Sequence, residues 1–349
     1  MMLVLKFILF TLLTKIRWSE SANIVINTWA GPFLDAASSG YRALSDGLSA
    51  LDAVEIGCST CEDDQCDGTV GFGNGPDSLG FTTLDALIMD GNTMNAGSVA
   101  YIQRYRKAIS LARQVMTYSD HTLLVGDGAE KFAEMIGILQ PQLTTTIKTR
   151  ELYQSWKTSN CQPNFYRNLD GVDEHCPPYN ISTSKSNFHK NQNELHRMWA
   201  SSKNHDTIGM VVLTNNNEMA CGTSTNGANH KVAGRVGDAP IVGSGCYVNS
   251  KYGGAAATGD GDIMMRFSPA FLAVTLMGQG VSPSQACLAA MNPIAESFPS
   301  FSGALVCLDR NGSHGAAAHN MPYFSYSMSS DETNGEAVPL PAIYTNSVV

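Results

Sequence analysis

The placement of short strand-like runs constrains this chain more than any other feature. NIVINT (Asn23–Thr28) reads as a first strand, and TIGMVVL (Thr207–Leu213) reads as another, far along the chain. LDALIMDGNTMN (Leu84–Asn95) reads as strand, Asp90-Gly91 turn, strand. Helical blocks lie between these runs. Leu34–Gly57 places Ala, Leu and Val at helical spacing, with internal glycines as breaks. Ala108, Ile109, Leu111, Ala112, Val115 and Met116 predict a helix over Ile102–Tyr118, and a further helix is expected over Ala129–Leu139. After Leu213 a turn at Thr214–Asn217 leads to a returning strand, Glu218–Thr223. A helix is expected from Asp262 into Met277, and another opens at Ser282 as N-cap with Pro283 in its first turn. Gly303–Leu308 and Ser313–His319 read as a final hairpin, and the last twenty or so residues read as frayed. Strands that flank helical blocks on both sides of a polar interruption point to one layered α/β domain. A chain of 349 residues can bury the core such a domain needs.

The polar interruption runs from about Arg167 to Asn204. Its second part, YNISTSKSNFHKNQNELHRMWASSKN, has few β-branched residues and no clean period, so a long exposed loop is expected. It ends in His205, Asp206 and Thr207, where the strand begins at once. A threonine hydroxyl is a weak nucleophile unless a base sits beside it. One solution is to make it the first residue of a chain, so that its own α-amino group is the base. That amine titrates at about 7.7–8.0 in model peptides. A free amine at Thr207 requires a cut after Asp206. The plainer reading is that Thr207 only opens a strand, where β-branched residues are common.

Composition narrows the class. A formal charge of −9 without a Lys/Arg cluster argues against nucleic-acid binding. Lys6, the apolar run Phe7–Leu13 and the small residues Ser19, Ser21 and Ala22 read as a signal peptide over residues 1–22, too short to span a bilayer. Nine cysteines after such a signal make disulfides plausible, and the odd count leaves one thiol unpaired. Asn180-Ile-Ser and Asn311-Gly-Ser are glycosylation sequons. Metal motifs fail: the eight histidines are scattered, and the acidic loop Asp63–Asn74 has Asn74 where a calcium loop needs a bidentate Glu.

Three further segments carry chemistry. GTSTNG (Gly222–Gly227) sets three hydroxyls at the end of the strand expected beside Thr207. GRVGD (Gly234–Asp238) offers a cation and an anion three residues apart, which could hold the two charged ends of an α-amino acid. ATGDGD (Ala257–Asp262) puts a hydroxyl and lightly shielded glycine N–H groups before a helix, suited to an oxyanion. Each alone also fits a surface salt bridge or a helix-entry turn.

Together, HDTIG, GTSTNG, GRVGD and TGDGD resemble the N(4)-(β-N-acetylglucosaminyl)-L-asparaginase family. It is also called aspartylglucosaminidase or glycosylasparaginase, and belongs among the N-terminal-nucleophile hydrolases. The resemblance extends over NTW (Asn27–Trp29), SALDAVEIGCSTCEDDQCDGTVGFG (Ser49–Gly73), TTLDALIMDG (Thr82–Gly91), HTLLVGDGA (His121–Ala129) and NCQPNFYRN (Asn160–Asn168), from about Ile24 to His319. It implies a four-layer αββα sandwich, cut between Asp206 and Thr207 into an α chain (23–206) and a β chain (207–349). It implies that Thr207 Oγ attacks the side-chain amide of a glycosylated asparagine, with Thr225 beside it and Thr258 and Gly259 as the oxyanion hole. Arg235 would take the substrate carboxylate and Asp238 its amine, within a pocket that includes Val236, Gly237, Asp260, Gly261 and Trp29. The resemblance also implies no cofactor or metal, no nucleic-acid or membrane partner, an (αβ)2 assembly and a lysosomal address. It further implies disulfides Cys61–Cys66, Cys161–Cys176 and Cys287–Cys307, with Cys58 free.

The chain departs from that pattern in places. Ala30-Gly31 looks like an insertion beside Trp29. Asp260 stands where relatives often have asparagine. Ala318 stands where some have a cysteine, so a C-terminal disulfide is missing, and Cys221 and Cys246 are extra and read as unpaired buried thiols. The L-asparaginase/isoaspartyl-dipeptidase branch of the fold shares similar segments but usually has glycine before its threonine. An inactive binding protein on the scaffold predicts loss of Thr207, Thr225, Arg235, Asp238 or Thr258, and all five are present.

Overall fold

A computed structural model of the chain describes residues 22–137, 139–181 and 207–345. Residues 1–21 of the expected signal peptide, the later part of the polar run and Asp206 lie outside the described residues.

Strands and helices segregate into layers because the strands are apolar on both faces. β1 (Ile24–Asn27), β2 (Leu84–Asp90), β3 (Ala96–Ile102), β7 (Ile208–Leu213) and β8 (Met219–Thr225) are almost wholly buried. Such strands need a cover on each side. They form an eight-stranded sheet with β4 (Leu123–Val125), β13 (Ser325–Ser330) and β14 (Val338–Pro341), in the order β14-β13-β1-β7-β8-β2-β3-β4. The second sheet runs β15-β12-β11-β10-β9, from Ile343–Tyr344 through His314–His319, Gly303–Asp309 and Gly253–Gly259 to Cys246–Asn249. A separate two-stranded pair, β5 (Leu169–Asp170) and β6 (Asn180–Ile181), sits within the polar stretch that was expected to be loop throughout.

Alternation decides which face each side chain takes. On β7, Met210 and Val212 join the outer core with α1 (Leu34–Ser45), α2 (Ala50–Asp64) and α3 (Ala108–Tyr118). Val211 and Leu213 face inward to Val248, Ala256 and Val306 of the second sheet. Beyond that sheet, Ala255, Ala257, Leu305 and Cys307 pack against α7 (Pro269–Gly278) and α8 (Pro283–Ser297). The result is helix, sheet, sheet, helix, the expected αββα order. The two sheets approach closely because small residues face each other. A Cβ on Gly209 would lie 2.8 Å from Ala256 Cβ, and one on Gly254 would lie 2.5 Å from Val211 Cγ1.

Several boundaries move. The Leu34–Gly57 block is two helices; α2 starts at a capping box in which Ser49 and Asp52 satisfy each other's backbone N–H groups. Ile102 ends β3, and α3 starts only at Ala108. The helix expected over Ala129–Leu139 is α4 (Gly126–Ile136), and α5 (Ile147–Thr158) follows it. Asp262–Met277 is a short helix, α6 (Gly261–Met264), then α7. Ser282 holds its N-cap position without a side-chain cap bond. The largest correction is C-terminal: the segment read as frayed supplies β14 and β15, and β13 before it pairs with β1 in register from Ile24↔Ser330 to Asn27↔Ser327. Its serines look like loop in sequence, but pairing buries Ser327, Ser329 and Ser330.

Four disulfides are present. Cys61–Cys66, Cys161–Cys176 and Cys287–Cys307 match the expectation, and Cys58 is free and buried. Cys221 and Cys246, read as unpaired thiols, instead bond to each other and join β8 of the first sheet to β9 of the second. They lie 25 residues apart, and only the stacking of the sheets brings them together.

Candidate active site

Four strand ends meet at one end of the sandwich. β7 begins there, while β1, β8 and β10 finish there. The antiparallel register Ile208↔Ser224 puts Thr207 and Thr225 opposite each other one step beyond the last pair. β1 pairs with β7 on the other side, so Thr28 and Trp29 follow Asn27 to the same place. Thr28 brackets the start of β7: its hydroxyl donates to the Thr207 carbonyl at 2.7 Å and accepts from Gly209 N–H at 2.9 Å.

From the facing sheet, Thr258 at the end of β10 completes the group. The Thr207 backbone nitrogen donates to Thr258 Oγ at 2.9 Å, and Trp29 Nε1 donates to the same oxygen at 3.0 Å. A hydroxyl has two acceptor positions and one hydrogen. With both acceptor positions filled, the Thr258 hydrogen is left to donate, which suits an oxyanion. Trp29 is held in a left-handed conformation (φ 67°), with its carbonyl accepting from Ser327 Oγ and its ring edge-on to Phe324. Gly259 follows at φ 120°, and a Cβ there would strike Gly303 Cα at 2.5 Å. Its backbone approach is therefore open only to glycine. After Trp29, Ala30 caps a short turn of 3₁₀ helix, Gly31–Phe33.

Arg235 and Asp238 come together around Gly261. A Cβ on Gly261 would lie 2.5 Å from Asp238 Oδ1 and 3.2 Å from Arg235 Nη2. The guanidinium folds back over Gly237, whose Cβ would meet Nη1 at 2.8 Å, and Val236 links the two. The carboxylate that Arg235 grips is Asp262, by Nε at 3.1 Å and Nη2 at 2.9 Å. Burial works against the Arg235 charge, but Asp262 outweighs it and raises the pKa. Among the described residues Nη1 makes no hydrogen bond, which leaves that edge open to a second carboxylate. Asp262 was read from sequence only as a helix start; its place in TGDGD was the available signal.

Asp238 is 3% exposed, and its Oδ2 has no hydrogen-bond partner among the described residues. Burial pushes its pKa up to about 7, against the pull of Arg235 and with Asp260 and Asp262 adding to the rise. An unpartnered buried carboxyl asks for a cation. Asp260 caps α6 by accepting from Ile263 N–H and lies beside this group. Thr225 Oγ accepts from Gly227 N–H at 3.0 Å. Every described residue of the expected site is thus in one cluster. Thr28, Asp262 and the buried Lys231 behind them were missed. A lone lysine in ANHKVAG reads as a solvated loop residue.

Known proteins resemble this chain over most of its length. A family model described as Asparaginase matches residues 14–337. The N(4)-(beta-N-acetylglucosaminyl)-L-asparaginase of Mus musculus is 46% identical over 311 residues, spanning 89% of this chain and 88% of the mouse protein. The Rattus norvegicus protein of the same name is 45% identical over the same shares. A probable isoaspartyl peptidase/L-asparaginase 3 of Arabidopsis thaliana is 43% identical over 325 residues, 90% of this chain and 89% of that one.

Proposed function

Because the chain belongs to the asparaginase family, we propose that it is an N-terminal-threonine amidohydrolase that cleaves the GlcNAc–asparagine amide of a glycosylated asparagine. The observation that carries this reading is the contact of the Thr207 nitrogen with Thr258 Oγ at 2.9 Å, beside a paired cation and anion site for an amino acid. Cutting the bond after Asp206 turns that nitrogen into an amine. The amine takes the proton from Thr207 Oγ as the oxygen attacks the amide carbonyl. The Thr258 hydroxyl and Gly259 N–H stabilise the oxyanion. The glycosylamine leaves with the proton, and water then releases L-aspartate from the Thr207 ester. Arg235 takes the substrate α-carboxylate and Asp238 the α-ammonium.

The mature form is an α chain ending at Asp206 and a β chain starting at Thr207, assembled as (αβ)2 in the lysosome after signal removal. Asparagine and β-aspartyl peptides share the amino-acid end but lack the sugar. Purified protein assayed on GlcNAc-asparagine, asparagine and β-aspartyl dipeptides therefore tests the reading. GlcNAc-asparagine should have the highest kcat/KM, and the smaller mature chain should sequence from TIGMVV. Faster turnover of β-aspartyl dipeptides, or full activity in an uncut chain, overturns it.

A further inference from the structure

Lys231 is fully buried, a rare state for a lysine. It lies on the loop between Thr225 and Arg235, and nothing in the reaction above uses it. Its ammonium donates to the Asn226 carbonyl at 2.6 Å and to the Thr83 carbonyl at 3.3 Å. The Asn226 carbonyl and the Gly227 N–H belong to one peptide plane. That same N–H donates to Thr225 Oγ at 3.0 Å. A cation on the carbonyl end of a peptide polarises it and makes its N–H a stronger donor. The approach is possible only because residue 227 is glycine with φ 74°: a Cβ there would lie 2.7 Å from Lys231 Nζ.

We infer that Lys231 is a positioning residue for catalysis, clamping the Asn226–Gly227 peptide so that its N–H orients the Thr225 hydroxyl beside Thr207. The inference rests on the proposed role of Thr207. The surroundings support it. Asp85 lies opposite Thr225 in the β2–β8 register, and its Oδ2 has no hydrogen-bond partner among the described residues. Burial lowers the Lys231 pKa to about 8, opposed first by Asp85, with Arg235 adding to the lowering and Asp77 and Asp262 resisting it. The ammonium therefore persists through neutral pH and is lost as pH rises through about 8.

The test compares kcat and KM for GlcNAc-asparagine in the wild type, Lys231→Met, Thr225→Ala and the double variant. Loss of one polarised hydrogen bond should lower kcat about tenfold in Lys231→Met and leave KM within about twofold. In the double variant, Lys231→Met should add nothing to Thr225→Ala, since it acts through that hydroxyl. Losses that multiply, or a rise in KM alone, overturn the inference. The ratio of wild-type kcat to Lys231→Met kcat cancels the titration of the Thr207 amine: it should shrink as pH rises through about 8, where the Lys231 charge is lost, and a ratio unchanged above that pH also overturns the inference. A wild type that turns over no GlcNAc-asparagine overturns the proposed function and this inference together. An active wild type indifferent to Lys231→Met overturns the inference alone.

Discussion

At Gly261 a single hydrogen stands where any other residue would put a carbon 2.5 Å from Asp238 Oδ1 and 2.9 Å from its backbone nitrogen. Overpacking of this kind costs about 1–3 kcal/mol. Gly261→Ala should therefore raise KM by roughly ten- to a hundredfold while the processed chains still form, as steady-state kinetics would read. Asp238 yields a second expectation. With its pKa near 7 it holds a proton in mildly acid solution. In its proposed role Asp238 meets an arriving ammonium, which favours the carboxylate, so binding expels that proton. The inhibition constant of L-aspartate should rise as pH falls below about 7. Asp260→Asn removes one charge that holds this pKa up, so the same rise should begin at a lower pH. Residue types in GRVGD made the Arg235/Asp238 pair legible in sequence. Which carboxylate Arg235 holds was not, because Asp238 and Asp262 differ only in where the chain turns around Gly261.

α2 and β7 show what local pattern conveys. Helical spacing over Leu34–Gly57 conveyed the helical block, but the break at Ser49, where Ser49 and Asp52 form a capping box, came only with the structure. Alternation along TIGMVVL does not reveal which face is inner, since both faces are apolar. That was decided by which sheet stacks on it. The Cys221–Cys246 bond is a product of the same stacking, joining strands of different sheets. Removing it should cost about 3 kcal/mol for a closed loop of this size. Urea denaturation of Cys221→Ala against the wild type measures this directly, with activity before unfolding retained.

Across the whole molecule, two buried carboxyls make stability sensitive to pH. Glu62 is fully buried on α2, accepts from Ser224 Oγ at 2.6 Å and Ile109 N–H at 2.9 Å, and has its pKa pushed by burial up to about 7. Asp238 behaves alike. Both pKa values are raised, so the folded state holds more protons than the unfolded state from about pH 4 to 7. Stability from these two groups is therefore greatest in acid and falls as pH rises through that window. Asp52, whose pKa is lowered by its Ser49 and Arg113 partners against burial, acts oppositely only at lower pH. Burial lowers the His230 pKa to about 4, which opposes the two carboxyls over the same window, so the comparison carries the prediction: relative to wild type, Glu62→Gln should gain melting temperature as pH rises from about 4.5 to 7, as calorimetry across the window would show. The sequence by itself determined the layered α/β class and the site motifs, and its family resemblance implied three of the four disulfide pairs. The class and the motifs depend on residue type and spacing along the chain. Only the tertiary structure decided the strands of the C-terminal segment, the fourth disulfide, the Arg235–Asp262 grip and the burial of Lys231. Each of these joins residues that the folded chain brings together from separate segments, and the Cys221–Cys246 bond also needs the two sheets to stack.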